Sequence, residues 1–138
     1  MSALVGVLLV THGDVARAML AAARVLLGEG PTHAMESLCI DPKEPRESIQ
    51  ARIREATERL DRGDGVLIAC DLHGSTPANC AIELKRSGKK VEVLCGLSLP
   101  MLIKIASIDR AQHTPAELAH VAAETAIRSV RLGDGGAA

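Results

Sequence analysis

The chain has no phenylalanine, tryptophan or tyrosine in its 138 residues. That excludes nucleic-acid recognition by aromatic stacking and cation capture by an aromatic cage. It leaves the core to Leu, Ile, Val, Ala and Met. An excess of either charge is also missing. Lys and Arg number 16 against 17 Asp and Glu, for a formal net charge of −1. So balanced a chain has no electrostatic reason to bind nucleic acid or an anionic membrane. The four cysteines, Cys39, Cys70, Cys80 and Cys95, form no CxxC pair. A zinc ribbon or a thioredoxin-like motif is therefore not expected. Cys39, Cys70 and Cys95 lie in or beside apolar runs and read as small buried side chains of a reducing compartment. Cys80 falls on a helix, with no facing assigned. No cationic region precedes the first apolar run, and Leu4–Val10 is too short to span a bilayer. The expectation is a cytoplasmic protein without direct membrane insertion.

What is present is apolar side chain, 47% of the sequence. One domain is expected over residues 1–132, burying roughly two-thirds of its unfolded surface. Residues 133–138 read as a flexible tail. Ala3–Val10 is nearly all apolar, as in a strand covered on both faces. Val15, Met19, Leu20, Ala23, Leu26 and Leu27 then keep a helical stripe, which Gly28 and Gly30-Pro31 stop. His33–Ile40 is mixed in polarity and reads as a strand near a sheet edge. Ile49, Ile53, Ala56 and Leu60 form one face of a helix over Pro45–Leu60, and its charges read as a solvated face. Gly65–Cys70 and Val91–Leu94 are the next strands. Pro77–Arg86, Pro100–Ile108 and Pro115–Ile127 are the next helices. Ser129–Leu132 either continues the last helix or forms a short strand. This alternation predicts an α/β fold, a doubly wound, mostly parallel sheet of four strands with helices on both faces. The expected strand order is 2-1-3-4.

Two strand ends carry the candidate chemistry. Leu67 to Cys70 runs into Asp71, then Leu72-His73-Gly74-Ser75-Thr76, then a helix whose first residue is expected at Pro77. Thr76 is the expected N-cap. A strand end, a turn of small residues and a helix start together suit an anion. Many such turns bind nothing. The second end adds weight, because His12 follows the first strand with Gly13 beside it, open to close approach. In order 2-1-3-4 the first and third strands are neighbours. His12 and Asp71 then share the carboxyl edge at the switch point, where ligands of such sheets bind. A histidine beside a carboxylate and a phosphate-friendly helix start suggests nucleophilic histidine chemistry. Asp71 would accept from Nδ1–H, fix the tautomer and leave Nε2 to attack phosphorus. Main-chain N–H groups near Gly74, Ser75 and Thr76, with the Thr76 hydroxyl, would hold the phosphoryl oxygens. No cofactor and no metal are called for.

Thr11-His12-Gly13, Leu26-Leu27-Gly28-Glu29, Asp71-x-x-Gly74-x-Thr76-Pro77-x-Asn79 and Gly96-Leu97-Ser98-Leu99-Pro100-Met101-Leu102 occur in this order along nearly the whole chain. On these markers the chain resembles the mannose-type IIA domain of the phosphoenolpyruvate-dependent sugar phosphotransferase system. The resemblance implies that His12 is phosphorylated by the phosphocarrier protein HPr and passes the group to a mannose-type IIB protein. It also implies that Asp71 partners the histidine. Thr76 matches a residue usually serine in the family. Ser75 stands where the family often has a second glycine. His73 stands where it often has an aromatic, and reads as a surface side chain near the docking face. The family is a homodimer that exchanges its last strand, for which Ser129–Leu132 is the candidate here. Some relatives continue through an Ala/Pro-rich linker into a IIB domain. Such a linker is missing here, so the expected IIB partner is a separate protein.

Other readings remain open. A regulatory module would use phosphorylation of His12 to change partners by adding charge, without onward transfer. A small chelatase-like enzyme also carries His-Gly after its first strand. It would want further metal-handling groups, for which His73 is a candidate, while His113 and His120 lie far along the chain. That reading leaves the Asp71–Asn79 block unexplained. A histidine phosphatase would want arginine where Thr11 stands.

Overall fold

A computed structural model describes residues 4–134. Ala3, the expected start of the first strand, and residues 135–138 of the expected tail lie outside the described residues. The elements are β1 (Gly6–His12), α1 (Val15–Leu27), β2 (Met35–Ile40), α2 (Arg46–Leu60), β3 (Val66–Cys70), α3 (Thr76–Arg86), β4 (Val91–Cys95), α4 (Leu99–Ser107) and α5 (Pro115–Arg128). The strands form one four-stranded sheet in the order β2-β1-β3-β4, and every neighbouring pair is parallel. This is the expected order.

Side chains of each strand alternate between two cores, as the period of a strand dictates. Val7, Leu9, Leu67 and Ala69 face α1, α4 and α5. Leu8, Val10, Ile68 and Cys70 face α2 and α3. Leu8, Leu9, Leu67 and Ile68 are fully buried. Complete burial on both faces is what the unbroken apolar runs of β1 and β3 signify. Cys70 and Cys80 are buried, and Cys39 and Cys95 are half-buried free thiols. Cys80 packs into the core under α2 and α3. Burial pushes the thiols of Cys70, Cys80 and Cys95 up, which keeps them protonated and unreactive.

Several boundaries moved for physical reasons. β1 runs on to His12, which pairs with Ile40 of β2. His12 is therefore a strand residue and not a loop residue. β2 begins at Met35 and not at His33, because Ala34 sits at φ 59 in the left-handed region that L-residues seldom occupy. The carbonyls of Val5, Pro31 and His33 all accept from the guanidinium of Arg110, which is 4% exposed. That group closes the end of the sheet opposite the candidate site. The segment after α5 is neither strand nor helix. Ser129 caps α5, and residues 130–132 have no regular structure, with Val130 and Leu132 exposed. Strands pair only with strands, and β4 already lies at the sheet edge with one side unpaired.

Candidate functional site

β1 and β3 are adjacent and in register, Val10 opposite Cys70. Just beyond this pair, His12 ends β1 and Asp71 follows β3 on the same carboxyl edge, and the side chains meet. Nδ1 of His12 lies 3.0 Å from Oδ2 and 3.2 Å from Oδ1 of Asp71. The main-chain N–H of His12 also donates to Oδ2, at 2.9 Å. The N–H of Leu72 donates to Oδ1, at 2.9 Å. One carboxylate thus grips both the ring and the backbone of the same histidine. Burial alone raises the pKa of Asp71. The donors from His12 and Leu72 outweigh it, and the carboxyl is held below its ordinary value. Asp71 is accordingly an anion at neutral pH and acts only as an acceptor, which places the proton on Nδ1. The Nε2 atom makes no hydrogen bond among the described residues, and the His12 side chain is 37% exposed. A neutral imidazole so held can attack an electrophile through Nε2, with the carboxylate balancing the charge that develops.

Thr11 prepares this position. Its fully buried hydroxyl accepts from the N–H of Ala16 at 2.6 Å, and Asp14, at the N-cap of α1, makes no side-chain cap bond. The β-branched residue that ends the apolar run of β1 therefore fixes the start of α1 beside His12. The sequence held this signal as a hydroxyl five residues before Ala16, a longer reach than that of an ordinary cap.

The cap of α3 differs from the expected one. Ser75, and not Thr76, is the N-cap, accepting from the N–H of Ala78 at 3.4 Å. Its hydroxyl also donates to the carbonyl of Leu72 at 2.7 Å. Thr76 is the first residue of the helix and Pro77 the second, both of which tolerate proline's missing donor. The loop takes this path because Gly74 has φ 83, a conformation that only glycine adopts without strain. With Ser75 occupied by the cap, the exposed Thr76 hydroxyl is unpartnered among the described residues. The N–H groups of Gly74, Ser75 and Thr76 likewise carry no hydrogen bond there. No direct bond joins Gly74, Ser75 or Thr76 to His12; the link runs through Asp71 and the Leu72–Ser75 turn.

This division of labour makes a prediction. Ser75→Ala is expected to destabilise the fold by about 1 kcal/mol through loss of a cap. Thr76→Val is expected to leave thermal stability nearly unchanged while slowing any phosphoryl transfer several-fold. Thermal melts and transfer rates on both variants check it, and equal effects of the two on stability would refute it.

His73 is exposed and lines a cavity of about 650 Å³ beside β4, with Lys85, Arg86, Glu92 and Cys95. Among the described residues, no group of three or more His, Cys, Asp or Glu side chains is placed to hold a metal ion. Nor is any helix long and apolar enough to cross a membrane.

A four-stranded parallel sheet in this order, with these helices on its faces, is the fold of the IIA components of the sugar phosphotransferase system. The component EIIA of Streptococcus agalactiae superposes with a TM-score of 0.82 at 18% identity, over 93% of this chain and 96% of that one. The mannose/sorbose-specific IIA subunit of Enterococcus faecalis gives 0.79 at 24% identity, over 97% and 98%. The family model described as the phosphotransferase-system fructose IIA component, of mannose type, matches residues 6–122, and the chain belongs to this family of phosphoryl carriers. It is 33% identical over 100 residues to the sorbose-specific EIIA component of Lacticaseibacillus casei, covering 72% of this chain and 70% of that protein. It is 28% identical over 127 residues to the mannose-specific EIIAB component of Escherichia coli strain K12, spanning 92% of this chain but only 39% of that protein.

Proposed function

We propose that the chain takes a phosphoryl group onto Nε2 of His12 from an HPr-type phosphocarrier and passes it to a mannose-type IIB partner. The observation that carries this reading is the grip of Asp71 on Nδ1 and on the main chain of His12, which leaves Nε2 unpartnered. The bond between phosphorus and the donor nitrogen breaks as the bond to Nε2 forms, and the donor ring keeps the electron pair. Asp71 stays ionised and balances the positive charge spread over the His12 ring. Thr76 and the N–H groups of Gly74, Ser75 and Thr76 are the donors this reading assigns to the phosphoryl oxygens. No cofactor enters the step. The reaction belongs in the cytoplasm with its donor. The test is intact-mass and peptide mapping after incubation with phosphoenolpyruvate, enzyme I and HPr. Acid-labile phosphate on His12 is the expected result, and an unmodified His12 beside active upstream proteins would overturn the reading.

Residues 1–132 form one IIA-type domain in this reading, and it works as a homodimer. Support comes from the unpaired edge of β4, the apolar cavity wall of Ile82, Val93 and Leu94 beside it, and the exposed Val130 and Leu132 on either side of Arg131. A strand of alternating side chains added from a second copy would cover both. Light scattering is expected to give twice the chain mass, and Val130→Asp with Leu132→Asp to shift it to the single mass. A wild-type chain of single mass at micromolar concentration would refute the dimer.

A further inference from the structure

We infer that Lys85 and Glu92 form a strap over the open edge of β4, which closes the lone chain to strand addition and opens when Arg131 of a second copy takes the place of Lys85 on Glu92. This exchange presupposes the homodimer proposed above and names what such a dimer must displace.

The outer edge of β4 bears no strand, yet its main-chain donors are not bare. Val66 lies opposite Val91, and its N–H donates to the carbonyl of Lys90. Main-chain groups of successive strand residues turn to opposite sides, so Glu92 and Leu94 turn theirs to β3 and Val91, Val93 and Cys95 turn theirs outward. The outward N–H of Val91 is taken by the carbonyl of Lys89, at 2.8 Å. That of Val93 is taken by Oε1 of Glu92, at 3.0 Å. The same oxygen accepts from Nζ of Lys85, at 2.5 Å.

These two side chains come from opposite faces of the sheet. Lys85 belongs to α3, whose Ala78, Ala81 and Leu84 share a core with Val91 and Val93. Glu92 alternates with those valines and so stands on the other face, with Leu94 and α5. The ion pair therefore passes over the edge from one face to the other. Burial raises the pKa of Glu92. The donors Lys85 and Val93, with the nearby His120, outweigh it and hold the carboxyl below its ordinary value. Both bonds to the carboxylate are thus charge-assisted at neutral pH. Charged side chains on an edge strand, lysine above all, are a common guard against unwanted pairing.

The strap also selects what displaces it. A strand that takes the Val93 donor must meet the charge of Glu92 in another way. Residues 130–132 of a second copy bring the means. In an extended segment Val130 and Leu132 turn to one face and Arg131 to the other. With Val130 and Leu132 on the apolar wall of Ile82 and Val93, Arg131 falls on the face of Glu92. A guanidinium can give a carboxylate two parallel donors, where an ammonium is a point charge. Arg131 is exposed, with its Nε donating to the carbonyl of Arg128 at the end of its own helix. A foreign strand with no cation at this place would leave Glu92 unmet, which makes the strap a device of specificity as well as of closure.

The test is a dilution series followed by light scattering on Lys85→Ala, Arg131→Ala and wild type. Lys85→Ala removes a contact of the lone chain and is expected to lower the dissociation midpoint of the dimer roughly fivefold, the upper range for an exposed ion pair. Arg131→Ala removes a contact of the dimer and is expected to raise it by a similar factor. An unchanged or raised midpoint in Lys85→Ala would overturn the strap, and an unchanged midpoint in Arg131→Ala would overturn the exchange. Hydrogen exchange reads the strap without a dimer. In the Val130→Asp, Leu132→Asp chain, adding Glu92→Ala is expected to speed exchange of the Val93 amide about tenfold, with the amides of Glu92 and Leu94 unchanged. Equal exchange with and without Glu92 would overturn the strap as well. A wild-type chain of single mass at micromolar concentration would overturn the dimer reading and the role of Arg131 with it, while the Val93 amide would still decide whether the strap exists.

Discussion

A His12→Gln chain is expected to gain no phosphate from phosphoenolpyruvate, enzyme I and HPr, under conditions that label the wild type on His12. The loss should be complete. The other described histidines near the sheet edge lack the arrangement, since His73 makes no bond to a carboxylate. The fold should survive. The His12 side chain is 37% exposed, and the two main-chain donors to Asp71 remain after the ring is gone. A change in stability within about 1 kcal/mol is expected, as for a surface position away from the core. Mass spectrometry measures the first effect and thermal unfolding the second. Phosphate retained elsewhere in the Gln variant would move the nucleophile to another residue.

Asp71→Asn is expected to be worse for transfer than Asp71→Ala. The carboxylate accepts from three donors, the main-chain N–H of His12, its Nδ1–H and the N–H of Leu72. An amide offers one oxygen and one NH2 group. If the oxygen keeps a main-chain donor, the NH2 group faces Nδ1 and turns that nitrogen into an acceptor. The ring proton then moves to Nε2, where it blocks attack. Alanine removes the support but leaves the tautomer free. The expected fall with Asn is about 10²- to 10⁴-fold in transfer rate, the scale seen when a histidine is set in the wrong tautomer. Nitrogen NMR of the imidazole reads the tautomer directly. A rate in Asn equal to or above that in Ala would refute the account.

The same bonds set a pH dependence. The folded pKa of Asp71 lies below its unfolded value, so its contribution to stability is fully present above the ordinary aspartate pKa of about 4. It is lost as pH falls through the lowered folded value. Across the neutral range Asp71 stays charged, and it supports His12 at any pH a cell maintains.

His12 and Asp71 were legible because each closes an apolar run, and a parallel sheet puts such run ends on one edge. Order 2-1-3-4 then made them neighbours. The cap of α3 was not legible. Ser75, Thr76 and Pro77 offer two hydroxyls in succession, and proline fits the first or the second helical position equally. The left-handed Gly74 decided between them, and a composition does not report a torsion angle. Arg110 was missed for a different reason. It sits in a polar break between two helices, where arginine is ordinarily solvated. Its burial depends on carbonyls more than seventy residues away in sequence, which no local pattern reveals.

Arg110 also bears on how the chain is made. A ribosome releases β1, β2 and β3 long before residue 110 emerges. Until it does, the carbonyls of Val5, Pro31 and His33 have no guanidinium to accept from, and the end of the sheet away from the site stays open to water. His12 and Asp71, by contrast, can meet as soon as β3 is out. The reactive edge is thus assembled once residue 71 is out, and the far edge is closed only when residue 110 follows. Loss of the segment that carries Arg110 would leave the chemistry drawn together on a sheet whose other end lacks its guanidinium clasp.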